Sequence, residues 1–116
     1  MHVVRKELAP PYDAPGHAGM SMRYLQGRGA GPCDSLWLGL STIEPGGGTT
    51  LSASDMEKVY VVLAGELEVA AQIGASRQVE TLFPLDSCRI GPAEARQLTN
   101  RSDRQATVLL VMPEKR

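Results

Sequence analysis

The stretch PGGGTTLSASDMEKVYVVLAGELEV, residues 45–69, decides how the rest of the chain is read. Gly46, Gly47 and Gly48 read as a tight turn into a strand, and Gly65 supplies the permissive backbone of the next hairpin. Between them alternate side chains share one face. In Glu66-Leu67-Glu68-Val69-Ala70, charged and apolar residues take turns, as a half-buried strand demands. Outward from this stretch, turn signals recur at short intervals: Pro10-Pro11, Pro15-Gly16, residues 27–32, Ile73-Gly74, Pro84-Leu85-Asp86, Gly91-Pro92 and residues 100–103. The runs between them, at 20–26, 35–43, 59–63, 66–73, 78–83, 87–90, 95–99 and 106–112, are short and apolar or alternating. None carries a sustained helical stripe. Short strands so spaced predict an all-β sandwich or barrel.

Composition narrows the function classes. At 116 residues the chain has the length of one domain. Twelve basic against thirteen acidic side chains give a formal charge of −1, without the basic stripe of a nucleic-acid binder. No apolar run approaches the roughly 18–20 residues of a membrane span. The first residues show no signal-peptide pattern, so a cytoplasmic location is the expectation. Cys33 and Cys88 stand far apart with no second pair, and read as reduced thiols. His2 and His17 are the only histidines. A His-rich metal centre cannot be built from them, and a Ser-His-Asp triad would draw on the N-terminal segment. Residues 27–31, GRGAG, lack the strand-to-helix context of a nucleotide site.

The segment 45–69 resembles the first signature of the cupin superfamily, G-x5-H-x-H-x3,4-E-x6-G, with Gly46 opening it and Gly65 closing it. The second signature, roughly G-x5-P-x-G-x2-H-x3-N, falls on residues 85–100 in degenerate form. Leu85 stands where glycine is usual, Gly91-Pro92-Ala93 replaces the Pro-x-Gly turn, and Asn100 matches strictly. The resemblance covers about residues 36–111. It implies a small single-domain, RmlC-like cupin: a double-stranded β-helix, or jelly-roll barrel, over 20–116, with residues 1–19 as an N-terminal arm or edge strand. It also implies a homodimer that exchanges or adds N-terminal strands.

The family's metal is usually held by two histidines and a glutamate of the first signature and a histidine of the second. Laid on this chain, those positions carry Ser52, Ser54, Lys58 and Arg96. Hydroxyls are poor ligands for a transition metal and cations repel it. No metal and no cofactor are expected. His17 can fold back to the cup, but one histidine does not restore a site.

Two cations and two hydroxyls gathered in one cup suit an anion. Arginine offers a fork to a carboxylate or phosphate, lysine a point charge, and serine a hydrogen bond. Tyr60, two residues beyond Lys58, adds a hydroxyl or an aromatic wall on the same face. The leading expectation is therefore a metal-free cupin binding a small anionic organic molecule through Ser52, Ser54, Lys58, Tyr60 and Arg96. Two alternatives stand beside it. One is a metal-independent isomerase or lyase acting on a small carboxylate or sugar, with Lys58 as a catalytic amine of lowered pKa beside Arg96. The other is a dimeric interaction module with a vestigial cup, its cations paired with Asp55, Glu57, Asp86 or Glu94. Met20, Met22, Met56 and Met112 can line an apolar pocket, and Trp37 reads as a core or interface anchor.

Overall fold

A computed structural model describes residues 1–114; the basic pair Lys115-Arg116 lies outside the described residues. The chain is all-β and folds into a nearly closed antiparallel barrel, the jelly roll that the strand spacing and the two signatures imply. Its strands are β1 (Pro11–Tyr12), β2 (His17–Gln26), β3 (Leu36–Thr49), β4 (Ser52–Ala53), β5 (Lys58–Ala64), β6 (Leu67–Ile73), β7 (Ser76–Leu82), β8 (Ser87–Ile90), β9 (Ala95–Thr99) and β10 (Ala106–Pro113). Strand β3 is the central member. Most of its length lies between β2 and β10, while its end crosses to β9 through the pair Gly48–Thr99. One wall therefore runs β1-β2-β3-β10-β5-β8, and the other β9-β6-β7 with β4 added to β9.

Alternation sorts the faces as the sequence requires. On β5, Lys58, Tyr60 and Val62 are buried while Val59 and Val61 are only partly covered. On β9, Arg96 and Leu98 turn inward, and Asn100 follows in the same phase. Each inward row thus begins with a cation at one end of the barrel, and the β5 row passes into an aliphatic floor. That floor, with Ile43, Val62, Leu67 and Val108 almost fully buried, is the core. Removing these side chains from water stabilises the fold by about 1.5–3 kcal/mol each.

The run Pro45-Gly46-Gly47-Gly48 departs from expectation. It is not a turn but the continuation of β3, fourteen residues long. Gly46 bends the strand at φ +80, where any side chain would be strained. A Cβ on Gly48 would run into the Leu98 carbonyl, so glycine here admits the close approach of β9. The N-terminal segment also takes a definite place. Strand β1 pairs with β2 of its own chain, Pro11 opposite Arg23 and Tyr12 opposite Met22.

The two departures from the second signature have a backbone consequence. Leu85 and Ala93, both at positions where glycine is usual, adopt φ +72 and +67. A side chain in this left-handed region costs about 1–2 kcal/mol, part of which is returned as lower entropy of the unfolded chain. Leu85 is 80% exposed, so shortening it forfeits little burial. Leu85→Gly and Ala93→Gly are each expected to stabilise the protein by roughly 0.5–1 kcal/mol, read as a rise of a few degrees in melting temperature. An unchanged or lower melting temperature for both would show that these turns are not strained.

Candidate functional site

A cavity of about 260 Å³ opens at the cationic end of the barrel. Lys58 and Tyr60 reach it from β5, Arg96 from β9, and Trp37 and Ser41 from β3. The fourth side is the N-terminal segment, which supplies Tyr12, Asp13 and His17.

Arg96 is only 6% exposed and fixed by four hydrogen bonds. Its Nε donates to the Tyr60 hydroxyl at 2.8 Å. Its Nη1 donates to Ser52 Oγ at 3.1 Å, and to Thr49 Oγ1 and the Thr50 carbonyl at 3.3 Å each. The register makes this possible, because Ser52 lies directly opposite Arg96. Nη2 has no protein acceptor among the described residues.

Lys58, 8% exposed, has neither a hydrogen bond nor an ion pair among the described residues. Burial, and then the neighbouring Arg96, lower the pKa of its ammonium from the ordinary 10.5. Three of the four carboxylates named above as partners for the cations are engaged elsewhere. Glu57 pairs with Arg89, Glu94 accepts from the Gly91 amide, and Asp86 accepts from the Phe83 amide.

Burial raises the Tyr60 phenol above its ordinary pKa against the opposing pull of Arg96, and raises Tyr12 to about 12. Both are protonated donors at neutral pH. Tyr12 stacks on Tyr24, with ring centres 4.1 Å apart, and both meet Trp37 edge-on at 5.9 and 5.5 Å. A Cβ on Gly39 would lie 2.8 Å from the Tyr12 hydroxyl, so glycine at that position seats this ring. The Arg28 guanidinium covers the indole at 5.0 Å, while the buried Trp37 Nε1 finds no acceptor among the described residues.

Of the residues singled out in the sequence, Lys58, Tyr60 and Arg96 share the cavity. Ser52 stands behind Arg96 as its acceptor and does not line the cavity. Ser54 lies outside it, closing a local turn by accepting from the Met56 amide at 3.2 Å. Met20, Met22 and Met112 line the cavity and Met56 does not. Of residues 12–17, His17 is singled out in the sequence as able to fold back to the cup, while Tyr12 and Asp13 are not. The signal for this segment lies in strand pairing, with His17 opposite Thr49 and so beside the Arg96 cluster.

No group of three His, Cys, Asp or Glu side chains that could hold a metal ion comes together among the described residues.

Comparison with known proteins gives one relative close in sequence. The chain is 42% identical over 113 residues to beta-D-galactosidase Rv1717 of Mycobacterium tuberculosis, covering 97% of this chain and 93% of that protein. No protein-family model matches. Among solved structures, the polyketide cyclase RemF of Streptomyces resistomycificus superposes with a TM-score of 0.84 at 20% identity, over 100% of this chain and 81% of its own. An RmlC-like cupin from Shewanella frigidimarina gives 0.79 at 16%, over 100% and 93%. KdgF from Halomonas gives 0.74 at 14%, over 99% and 94%. At these identities the structural likeness establishes the fold alone.

The two cations should respond oppositely to removal. Lys58→Met deletes an unpaired charge from a desolvated place and is expected to raise the melting temperature by a few degrees. Arg96→Met strands the partners of four hydrogen bonds and is expected to cost about 2–4 kcal/mol. The gain from Lys58→Met should depend on pH. Above the lowered folded pKa, native Lys58 sheds its proton while the unfolded lysine keeps it to about 10.5, so wild-type stability rises with pH across that interval. Melting curves from pH 7 to pH 10 should show the two proteins converging; parallel curves would mean that Lys58 is not desolvated.

Proposed function

The chain belongs to the family of the mycobacterial protein and has the cupin fold, and from that premise we propose that it is a metal-free cupin binding a small anionic organic molecule in its barrel. The observation that carries this reading is the pair Lys58 and Arg96, facing one cavity with no carboxylate salted to either among the described residues. Two buried cations side by side are unfavourable alone and become favourable around an anion. The unfilled volume supports a bound molecule over a vestigial cup. Lys58 supplies the point charge and Arg96 Nη2 the directed donors, with Ser52 and Thr49 holding the guanidinium in place. Tyr60 and Tyr12 add neutral donors, and the aromatic wall suits the apolar face of a sugar ring.

The name of the mycobacterial relative points to galactose-configured sugars. Glycoside hydrolysis usually takes two carboxyl groups flanking the bond. Among the described residues this cavity offers one carboxylate, Asp13, and two cations, Lys58 and Arg96. A sugar acid fits that donor set better than a neutral galactoside. The second reading is an enzyme of lyase or isomerase type on the same pocket. It is favoured by Lys58, whose lowered ammonium pKa beside Arg96 is the environment of reactive lysines.

Calorimetric titration with D-galacturonate, D-galactose and zinc separates these possibilities. Galacturonate is expected to bind, galactose to bind at least tenfold more weakly, and zinc not at all. Lys58→Met and Arg96→Met should each lose about 10- to 100-fold in galacturonate affinity, the worth of one charged hydrogen bond, while Ser54→Ala changes nothing. Binding of zinc alone, or equal binding of the two sugars, would overturn the anion reading.

A further inference from the structure

One of the titratable groups of the cavity that neither the cupin signatures nor the anion site uses is a histidine. His17 sits at the start of β2 and lines the same cavity as Lys58 and Arg96. Its Nδ1 lies 2.8 Å from the Pro15 carbonyl, an acceptor only, so that nitrogen carries the ring proton. Nε2 is left with its lone pair as the ring nitrogen available to the cavity. Burial lowers the His17 pKa from its ordinary 6.5; the Pro15 hydrogen bond opposes this, and Arg96 and Lys58 lower it further. The imidazole is therefore neutral at neutral pH, a base held beside two cations. Among the described residues Asp13 is the only carboxylate in the same lining, and it is exposed.

A base next to a carboxylate-binding pair is placed for one kind of bond. The carbon that bears the carboxylate lies within one bond of the anchored group, and its hydrogen is acidified when cations take up the charge. We propose that His17 is the general base of this cavity, taking the proton from the carboxylate-bearing carbon of a bound uronide and so starting a β-elimination. This rests on the anion-binding reading above. It assigns the base to His17, leaving Lys58 charged as an anchor.

The step balances without a co-reactant. The C5–H bond breaks and its proton passes to His17 Nε2. The electron pair forms the C4=C5 double bond, while the charge that builds on the carboxylate is held by Lys58 and Arg96. The C4–O bond breaks with its pair going to the leaving oxygen. That oxygen takes its proton from the Tyr60 hydroxyl, which accepts from Arg96 and keeps its own hydrogen to give. The products are an unsaturated uronate and an alcohol, and proton exchange with water restores His17 and Tyr60.

The test uses the full-length protein and a 4-linked digalacturonate. Calorimetry reads binding, ultraviolet absorbance reads the conjugated product, and NMR in D2O reads deuterium at C5 of recovered substrate. Wild type is expected to bind and to form the unsaturated product. His17→Gln should bind within about twofold of wild type and turn over roughly 10²–10⁴-fold more slowly. Lys58→Met should lose binding itself. Wild type that binds yet gives neither product nor C5 deuterium would overturn the proposal and leave the binding reading standing. So would a His17→Gln variant that keeps the wild-type rate. Failure of wild type to bind would take both down.

Discussion

The amide of Asn100, completely buried, holds the place where three parts of the barrel meet. Its Nδ2 donates to the Ile43 carbonyl at 2.9 Å and to the Arg104 carbonyl at 2.7 Å. Its Oδ1 accepts from the amide and the hydroxyl of Ser102. Its backbone closes a pair with β3, donating to Gly47 and accepting from Gly46. One side chain so satisfies both the strand that leaves one wall for the other and the turn that follows β9. A buried polar group with all its partners specifies a single arrangement, and losing one of them exposes the full penalty of desolvation. Arg96 lies on the same inward row as Asn100, so the orientation of the cationic site is inherited from this corner.

The site sets local stability against readiness. Lys58 is covered by protein and given no counter-charge among the described residues, while Arg96 is held by neutral acceptors that orient it and leave its charge intact. Tyr60 reconciles the two. Its hydroxyl accepts a hydrogen bond from the guanidinium N–H and keeps its own hydrogen, so it offers a neutral donor in turn. An aliphatic core lies beneath the arrangement, and low-dielectric surroundings strengthen any interaction with an entering anion.

The barrel was legible because its evidence is local. Alternation in 66–70 and turn residues at short intervals place strands wherever they occur, and the strands at 87–90 and 95–99 fall where the pattern puts them. The glycine run at 45–48 was read as a turn because a sequence does not distinguish glycine needed for bending from glycine needed for close approach. Here Gly48 serves the second purpose against Leu98. Lys58, Tyr60 and Arg96 were found because strand parity and motif spacing gather them. Ser54 fitted the same spacing, yet the chain turns between it and β5, and its hydroxyl is engaged with Met56. The contribution of Tyr12, Asp13 and His17 depends on the pairing of β1 and β2 with the rest of the sheet. Such long-range register is not written in any short segment.

The wall against which a ligand would rest also carries an optical consequence. The chain contains a single tryptophan, and it is the residue that closes this wall. Its ring sits within 6 Å of two tyrosines, its face is covered by a guanidinium, and its indole N–H is shielded without an acceptor among the described residues. Light absorbed by Tyr12 or Tyr24 passes to that indole by energy transfer at such separations. The protein's intrinsic emission therefore originates almost wholly from the lining of its own cavity, and withdrawal of the N-terminal segment would register as light.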